Sequence, residues 1–120
     1  MKQLNPYELA KNIGNAADDK KAYDIITLDM QGISLVTDYF IICSANSTTQ
    51  VKAIADHIEE KLAEQTVKLL HKEGYRDGRW VLLDFGGCVV HIFLEEERRF
   101  YNLEQLWGDA QTVSYEEQEQ

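Results

Sequence analysis

The stretch 79-RWVLLDFGGCVVHIF-93 decides how this chain is read. It contains Asp84-Phe85-Gly86, the tripeptide that holds magnesium in a protein kinase. It also contains two apolar runs that meet at Gly86-Gly87, a pair with the length and residue type of a two-residue β-hairpin turn. The kinase alternative fails on its surroundings. The chain has 120 residues, its one Gly-Gly pair follows Asp84-Phe85, and His-Arg-Asp occurs nowhere; a kinase needs roughly twice the length, a glycine-rich loop, a strand lysine and a catalytic loop. The tripeptide is therefore a strand end followed by a turn. Side chains alternate along a strand, so Trp80, Leu82 and Asp84 share one face while Val81, Leu83 and Phe85 share the other.

Outward from this hairpin, strands and helices alternate. Upstream, "YDIITLDMQG" and "TDYFIICSA" read as two further strands, the second apolar almost throughout, as in a central strand covered on both faces. Between them and the hairpin, Ser47-Thr48-Thr49-Gln50 forms a capping box ahead of Val51, Ile54, Ile58 and Leu62 at helical spacing. A short strand within "VKLLHKE" precedes the turn region Glu73–Gly78. At the N-terminus, Asn5-Pro6-Tyr7-Glu8 starts a helix, with Tyr7, Leu9, Ala10, Ile13 and Ala17 as its inward residues and an end near Asp18. After Leu94, "EEERRFYNLEQLWGDA" turns helical, with Phe100, Leu103 and Leu106 or Trp107 as its apolar stripe and Gly108 as its stop. The order α-β-β-α-β-β-β-α predicts an α/β fold: a single domain over residues 1–110, with a mixed β-sheet flanked by helices. The polar stretch 111–120 is expected to be a disordered acidic tail.

The formal charge is −9, from 12 basic and 21 acidic residues. Wrapping nucleic acid requires clustered Lys and Arg, so direct sequence-specific nucleic-acid binding is not expected, and a partner carrying positive charge is. No segment reaches the roughly 18 apolar residues of a membrane span, and the N-terminus lacks an apolar signal region, so no membrane partner and a cytoplasmic location are expected. Cys43 and Cys88 sit inside apolar runs and read as buried free thiols.

Catalytic chemistry finds little support. His57, His71 and His91 fall in separate elements without metal-ligand spacing, and His91 reads as a sheet-face residue beside Val89 and Phe93. Ser44, Ser47 and Thr48 flank a helix start, but no nucleophile elbow or phosphate loop accompanies them. Asp29, Asp38 and Asp84 lie near strand ends, yet no strand carries the Asp-x-Asp pair that would hold two metal ions. No cofactor, no metal site and no catalytic residue is expected. What remains is aromatic: Trp80, Phe85, Tyr101 and Trp107 crowd the last third of the chain, and any of them exposed near Asp84 would be an interface anchor.

The chain resembles the ribosome silencing factor, or Iojap, family. The resemblance rests on "YDIITLDMQG", "TDYFIICSANSTTQVKAIADHI", "WVLLDFGGCVVHIF" and "EERRFYNLEQLWGDA", in order across residues 23 to 110. It implies a nucleotidyltransferase-like fold without catalytic residues. It further implies binding to the large ribosomal subunit through ribosomal protein L fourteen, which blocks joining of the small subunit and lowers translation when nutrients are scarce. Organelle relatives are associated with ribosome assembly, and a homodimer is implied for the free protein. The implied contact surface includes Trp80 and Phe85, with Asp84 available to pair with a cation and Tyr101 as a further aromatic contact. Phe85, nearest the turn, is expected to be accessible. Gly87 departs from the family, whose members often carry a polar residue, commonly Asp, at that position.

Overall fold

The computed structural model describes residues 4–102, 105, 108 and 110–113. Its elements are α1 (Pro6–Asp19), β1 (Tyr23–Asp29), β2 (Tyr39–Ala45), α2 (Thr48–Glu64), β3 (His71–Glu73), β4 (Trp80–Asp84), β5 (Cys88–Leu94), α3 (Glu95–Tyr101) and β6 (Gln111–Thr112). The strands form one mixed sheet in the order β3-β4-β5-β2-β1-β6. The central pair β2–β5 is parallel, running from Tyr39 opposite Cys88 to Ala45 opposite Leu94. The other neighbours are antiparallel. The domain is therefore the α/β architecture with a mixed sheet that the sequence implies.

The helix starts follow their caps. Asn5 Oδ1 accepts the Glu8 N–H at 2.8 Å, with Pro6 in the first turn. Ser47 Oγ accepts the Gln50 N–H at 3.1 Å. Gln50 reaches back to the Asn46 N–H, at 2.7 Å, and its amide nitrogen donates to the carbonyls of Lys20 and Lys21. One glutamine thus completes the α2 cap and ties it to the end of α1. Both helices bury one stripe: Leu9, Ala10, Ile13, Ala16 and Ala17 from α1, and Val51, Ile54, Ala55, Ile58 and Leu62 from α2. These pack with Ile41, Cys43, Val81, Leu83, Val90 and Ile92 in one core.

The two long helices therefore share a core with the same, inner face of the sheet. The outer face carries a second, smaller cluster of Leu28, Met30, Ile42 and Phe93, with Ile26, Phe40 and Trp80 packed around it. This explains why β2 and β5 read as apolar on both sides: each is central and contributes to both clusters.

The hairpin closes through the two-residue turn that the sequence implies, between Phe85 and Cys88. Gly86 takes φ +93° while Gly87 does not need a positive φ, the pattern of a turn with glycine at its first central position. Phe85 N–H donates to the Cys88 carbonyl at 2.9 Å, and Asp84 Oδ1 accepts the Gly86 N–H at 2.8 Å. Gly87 has a different reason to lack a side chain: a Cβ there would meet Pro6 Cγ at 2.9 Å. The start of α1 sits directly on the turn.

Three expectations change at the C-terminal end. Helix α3 ends at Tyr101, where Asn102 adopts a left-handed conformation, φ 49°. Phe100 does not join an inward stripe; it is 79% exposed. Leu103, Leu106 and Trp107 lie outside the described residues. Gln111 and Thr112, assigned by sequence to a disordered tail, pair with Asp29 and Leu28 as β6. The remainder, 114–120, lies outside the described residues. Among the described residues no helix is long and apolar enough to cross a membrane.

Candidate partner-binding surface

The outer sheet face gathers the aromatic side chains. Trp80 opens β4 opposite Phe93 on β5, and their rings stack at 4.9 Å and 29°. Tyr101, the last residue of α3, lies 4.6 Å from the Trp80 ring centre and is 45% exposed. Phe100 meets Tyr101 edge-on at 5.1 Å. On the other side of Trp80, His91 faces Phe40 at 4.8 Å. The Trp80 indole N–H donates to His91 Nδ1 at 3.1 Å. That bond fixes the tautomer: Nδ1 is the acceptor, so the ring hydrogen is on Nε2, which has no partner among the described residues. Burial alone lowers the His91 pKa to about 4, so the ring is neutral near pH 7. Trp80 has turned its one polar group inward; what it presents outward is carbon surface.

Helix α3 is held across this face by polar ties on both flanks. Toward β1 and β2, Arg98 donates to the Asp24 carbonyl at 2.6 Å and to Ser44 Oγ at 2.8 Å. The Tyr23 hydroxyl donates to Glu95, and burial together with that carboxylate pushes the hydroxyl up to about 12. Toward β4, Arg79 Nε donates to Glu97 Oε1 at 2.8 Å, with Nη2 2.7 Å from the same oxygen. The Arg98 and Tyr23 ties, from residues far apart in sequence, place Tyr101 on Trp80, with the more exposed Arg79 pair at the rim.

The four residues singled out by sequence do not form one patch. Trp80 and Tyr101 come together. Asp84 lies on the same face as Trp80 but four residues along the strand, about 13 Å away at 3.3 Å per residue. It is occupied in the hairpin turn through Oδ1. Phe85 is corrected: it is 7% exposed and belongs to the inner core. The inner face does not end where the strand does, because Leu4, Pro6 and Leu9 at the start of α1, together with Val67 and Leu70, line the groove whose floor Phe85 helps to form. Three residues of the outer cluster were not recognised as its members from sequence: Phe40, His91 and Phe93. Their alternation marked a shared face, but nothing local showed that both long helices would pack on the opposite face and leave this one to a separate, smaller cluster.

Of the aspartates considered for metal chemistry, Asp38 stands beside Asp29, its carbonyl accepting the Met30 N–H at 2.7 Å, and Asp84 lies farther off. Asp84 on β4 and Asp29 on β1 are separated by β5 and β2, three strand spacings or about 14 Å. Among the described residues no group of three His, Cys, Asp or Glu side chains is placed to hold a metal ion. Both thiols are buried and free, and burial pushes each up to about 12.

Residues 3–120 match the family model described as ribosomal silencing factor during starvation. A ribosomal silencing factor from Halalkalibacterium halodurans is 50% identical over 113 residues, covering 94% of this chain and 97% of that protein. A crystal structure of a Chromobacterium violaceum protein superposes with a TM-score of 0.86 at 37% identity, covering 92% of each chain. The mouse protein named mitochondrial assembly of ribosomal large subunit protein 1 is 32% identical over 94 residues, 73% of this chain and 40% of that one. With a family model spanning nearly the whole chain and a relative identical at half its positions, the chain belongs to the ribosomal silencing factor family.

Proposed function

We propose that this protein binds the large ribosomal subunit through ribosomal protein L fourteen, keeps the small subunit from joining, and so represses translation under nutrient limitation. The observation that carries the reading is the Trp80–Tyr101 pair: two aromatic rings 4.6 Å apart, with Tyr101 half-exposed, at the edge of the sheet face opposite the two long helices. Aromatic anchors of this kind dominate the energy of protein interfaces. The electrostatics agree. Glu95, Glu96 and Glu97 form the first turn of α3 beside the pair, and a chain of −9 is complementary to a basic ribosomal protein. In this reading Asp84, at the far end of the same face, pairs with a cation of the partner, and Phe85 supports the hairpin from within without touching the partner. The free protein is a homodimer. It works by steric exclusion, with no reaction catalysed.

Sedimentation tests this. The protein should pellet with large subunits and not with small ones, and should reduce formation of whole ribosomes from the two. Tyr101→Ala should weaken large-subunit binding by about 2 kcal/mol, roughly thirtyfold, with an unchanged melt; normal binding by a folded Tyr101→Ala protein would remove this surface from consideration. A second reading, assembly of the large subunit, draws on the mouse relative's name. Under that reading, depletion of the protein leaves immature large-subunit particles; under repression, it leaves mature subunits that join too readily in starved cells.

A further inference from the structure

The aromatic pair is flanked by an ion pair whose geometry is unusual for a surface salt bridge. Arg79 directly precedes Trp80, and Glu97 lies one helical turn before Tyr101, so the pair spans the same junction between β4 and α3 as the two rings. Both contacts from Arg79 fall on a single carboxylate oxygen, Oε1. Among the described residues Oε2 takes no hydrogen bond. The two partners are also unequal in exposure. The Glu97 side chain is 20% exposed and Arg79 is 53% exposed, so the guanidinium caps a recessed carboxylate. The neighbouring acids differ: Glu95 is engaged by Tyr23 and Arg99, and Glu96 is open to solvent. Glu97 alone is recessed, next to the aromatic pair, and already holding a guanidinium.

We propose that Arg79 is an internal place-holder, and that binding exchanges it at Glu97 for an arginine or lysine side chain of the basic partner, laid against Trp80 and Tyr101. The inference rests on the reading of this surface as the partner contact. The chemistry is that of a socket: a recessed carboxylate with one oxygen unused, beside ring faces that attract cations. Arg79, half in solvent, gives up its place at little cost, because exposed ion pairs are weak. While seated, it sets a positive charge in the path of any positively charged partner. Such an arrangement lowers affinity for stray cations, since each must displace Arg79 and also fit the aromatic pair, and so favours a partner that brings both.

The test compares binding of purified Halalkalibacterium halodurans large subunits by Arg79→Gln, Glu97→Gln, the double variant, Lys61→Gln and Trp80→Ala, each checked for a cooperative melt. Lys61 lies on α2, paired with Glu64, and controls for net charge alone. Arg79→Gln should bind about two- to fivefold more tightly, the size of an exposed pair. Glu97→Gln should bind about tenfold more weakly, and the double variant should follow Glu97→Gln. Lys61→Gln should match the parent. Unchanged or weaker binding by Arg79→Gln, or equal tightening by Lys61→Gln, overturns the exchange. Normal binding by a folded Trp80→Ala protein overturns the surface itself, whereas loss in Trp80→Ala without a gain in Arg79→Gln overturns the exchange alone.

Discussion

His91 gives the sharpest thermodynamic test of the outer face. The residue is 5% exposed, its Nδ1 accepts from Trp80, and its Nε2–H has no partner among the described residues. Burial lowers its pKa from 6.5 to about 4 in the folded protein. In the unfolded chain the ring takes its proton near the ordinary value. Between pH 6.5 and 4 the unfolded state therefore binds more protons than the folded one, so stability must fall as pH falls through that window and level off below it. The full shift corresponds to about 3 kcal/mol, of which about 2 kcal/mol is already lost at pH 5. Protonation at Nδ1 also removes the acceptor for the Trp80 indole, which couples the effect to the aromatic pair. Urea unfolding at pH 7.5 and pH 5 measures the loss, and His91→Asn supplies the reference: its side-chain oxygen can accept from Trp80 but does not titrate. Carboxylates contribute alike to both proteins and cancel in the difference. His91→Asn should lose about 2 kcal/mol less than the parent over this interval. Parallel losses would show that His91 titrates normally and that the outer face is open to water.

Phe85→Ala should lower stability by about 3–5 kcal/mol, as for a buried aromatic, and any loss of large-subunit binding should track the unfolded fraction in a thermal melt; a stable Phe85→Ala protein that binds poorly would return Phe85 to the contact surface. Gly87→Ala should cost about 1–3 kcal/mol through overpacking, because the new Cβ meets Pro6, whose carbonyl is already bonded by the Cys88 thiol at 3.3 Å; an unchanged melting temperature would mean that the start of α1 shifts freely off the turn.

Much of the fold was legible because its signals are local. The alternation in Trp80–Phe85, the Gly86-Gly87 turn, and the caps at Asn5 and Ser47 each depend on a few neighbouring residues. The helix stripes likewise need only periodicity. The site was legible only in part. Trp80 and Tyr101 were both marked as aromatic candidates, but their meeting depends on α3 folding back over the sheet. That placement is held by Arg98 on Asp24 and Ser44 and by Tyr23 on Glu95, contacts between elements distant in sequence. Phe85 was misjudged for the complementary reason: closeness to a turn implies exposure only if nothing packs over it, and Pro6 comes from the other end of the chain. Gln111 and Thr112 are polar and give no sequence signal for a strand; β1 supplies the pairing edge.

The edges of the sheet carry a consequence for behaviour in concentrated solution. A sheet whose central strands are apolar on both faces is prone to stack edge to edge with its neighbours, because unpaired backbone groups template further strands. Here one edge is β3, three exposed residues of which Lys72 and Glu73 are charged. The other side ends in two-residue β6, and β1 beyond it breaks register between Tyr23 and Ile26, where Asp24 takes a positive φ. Among the described residues neither border offers a long flat template, and the −9 charge adds repulsion between copies. The sheet's described rims thus resist fibrillar aggregation while both faces of its centre stay packed with apolar side chains.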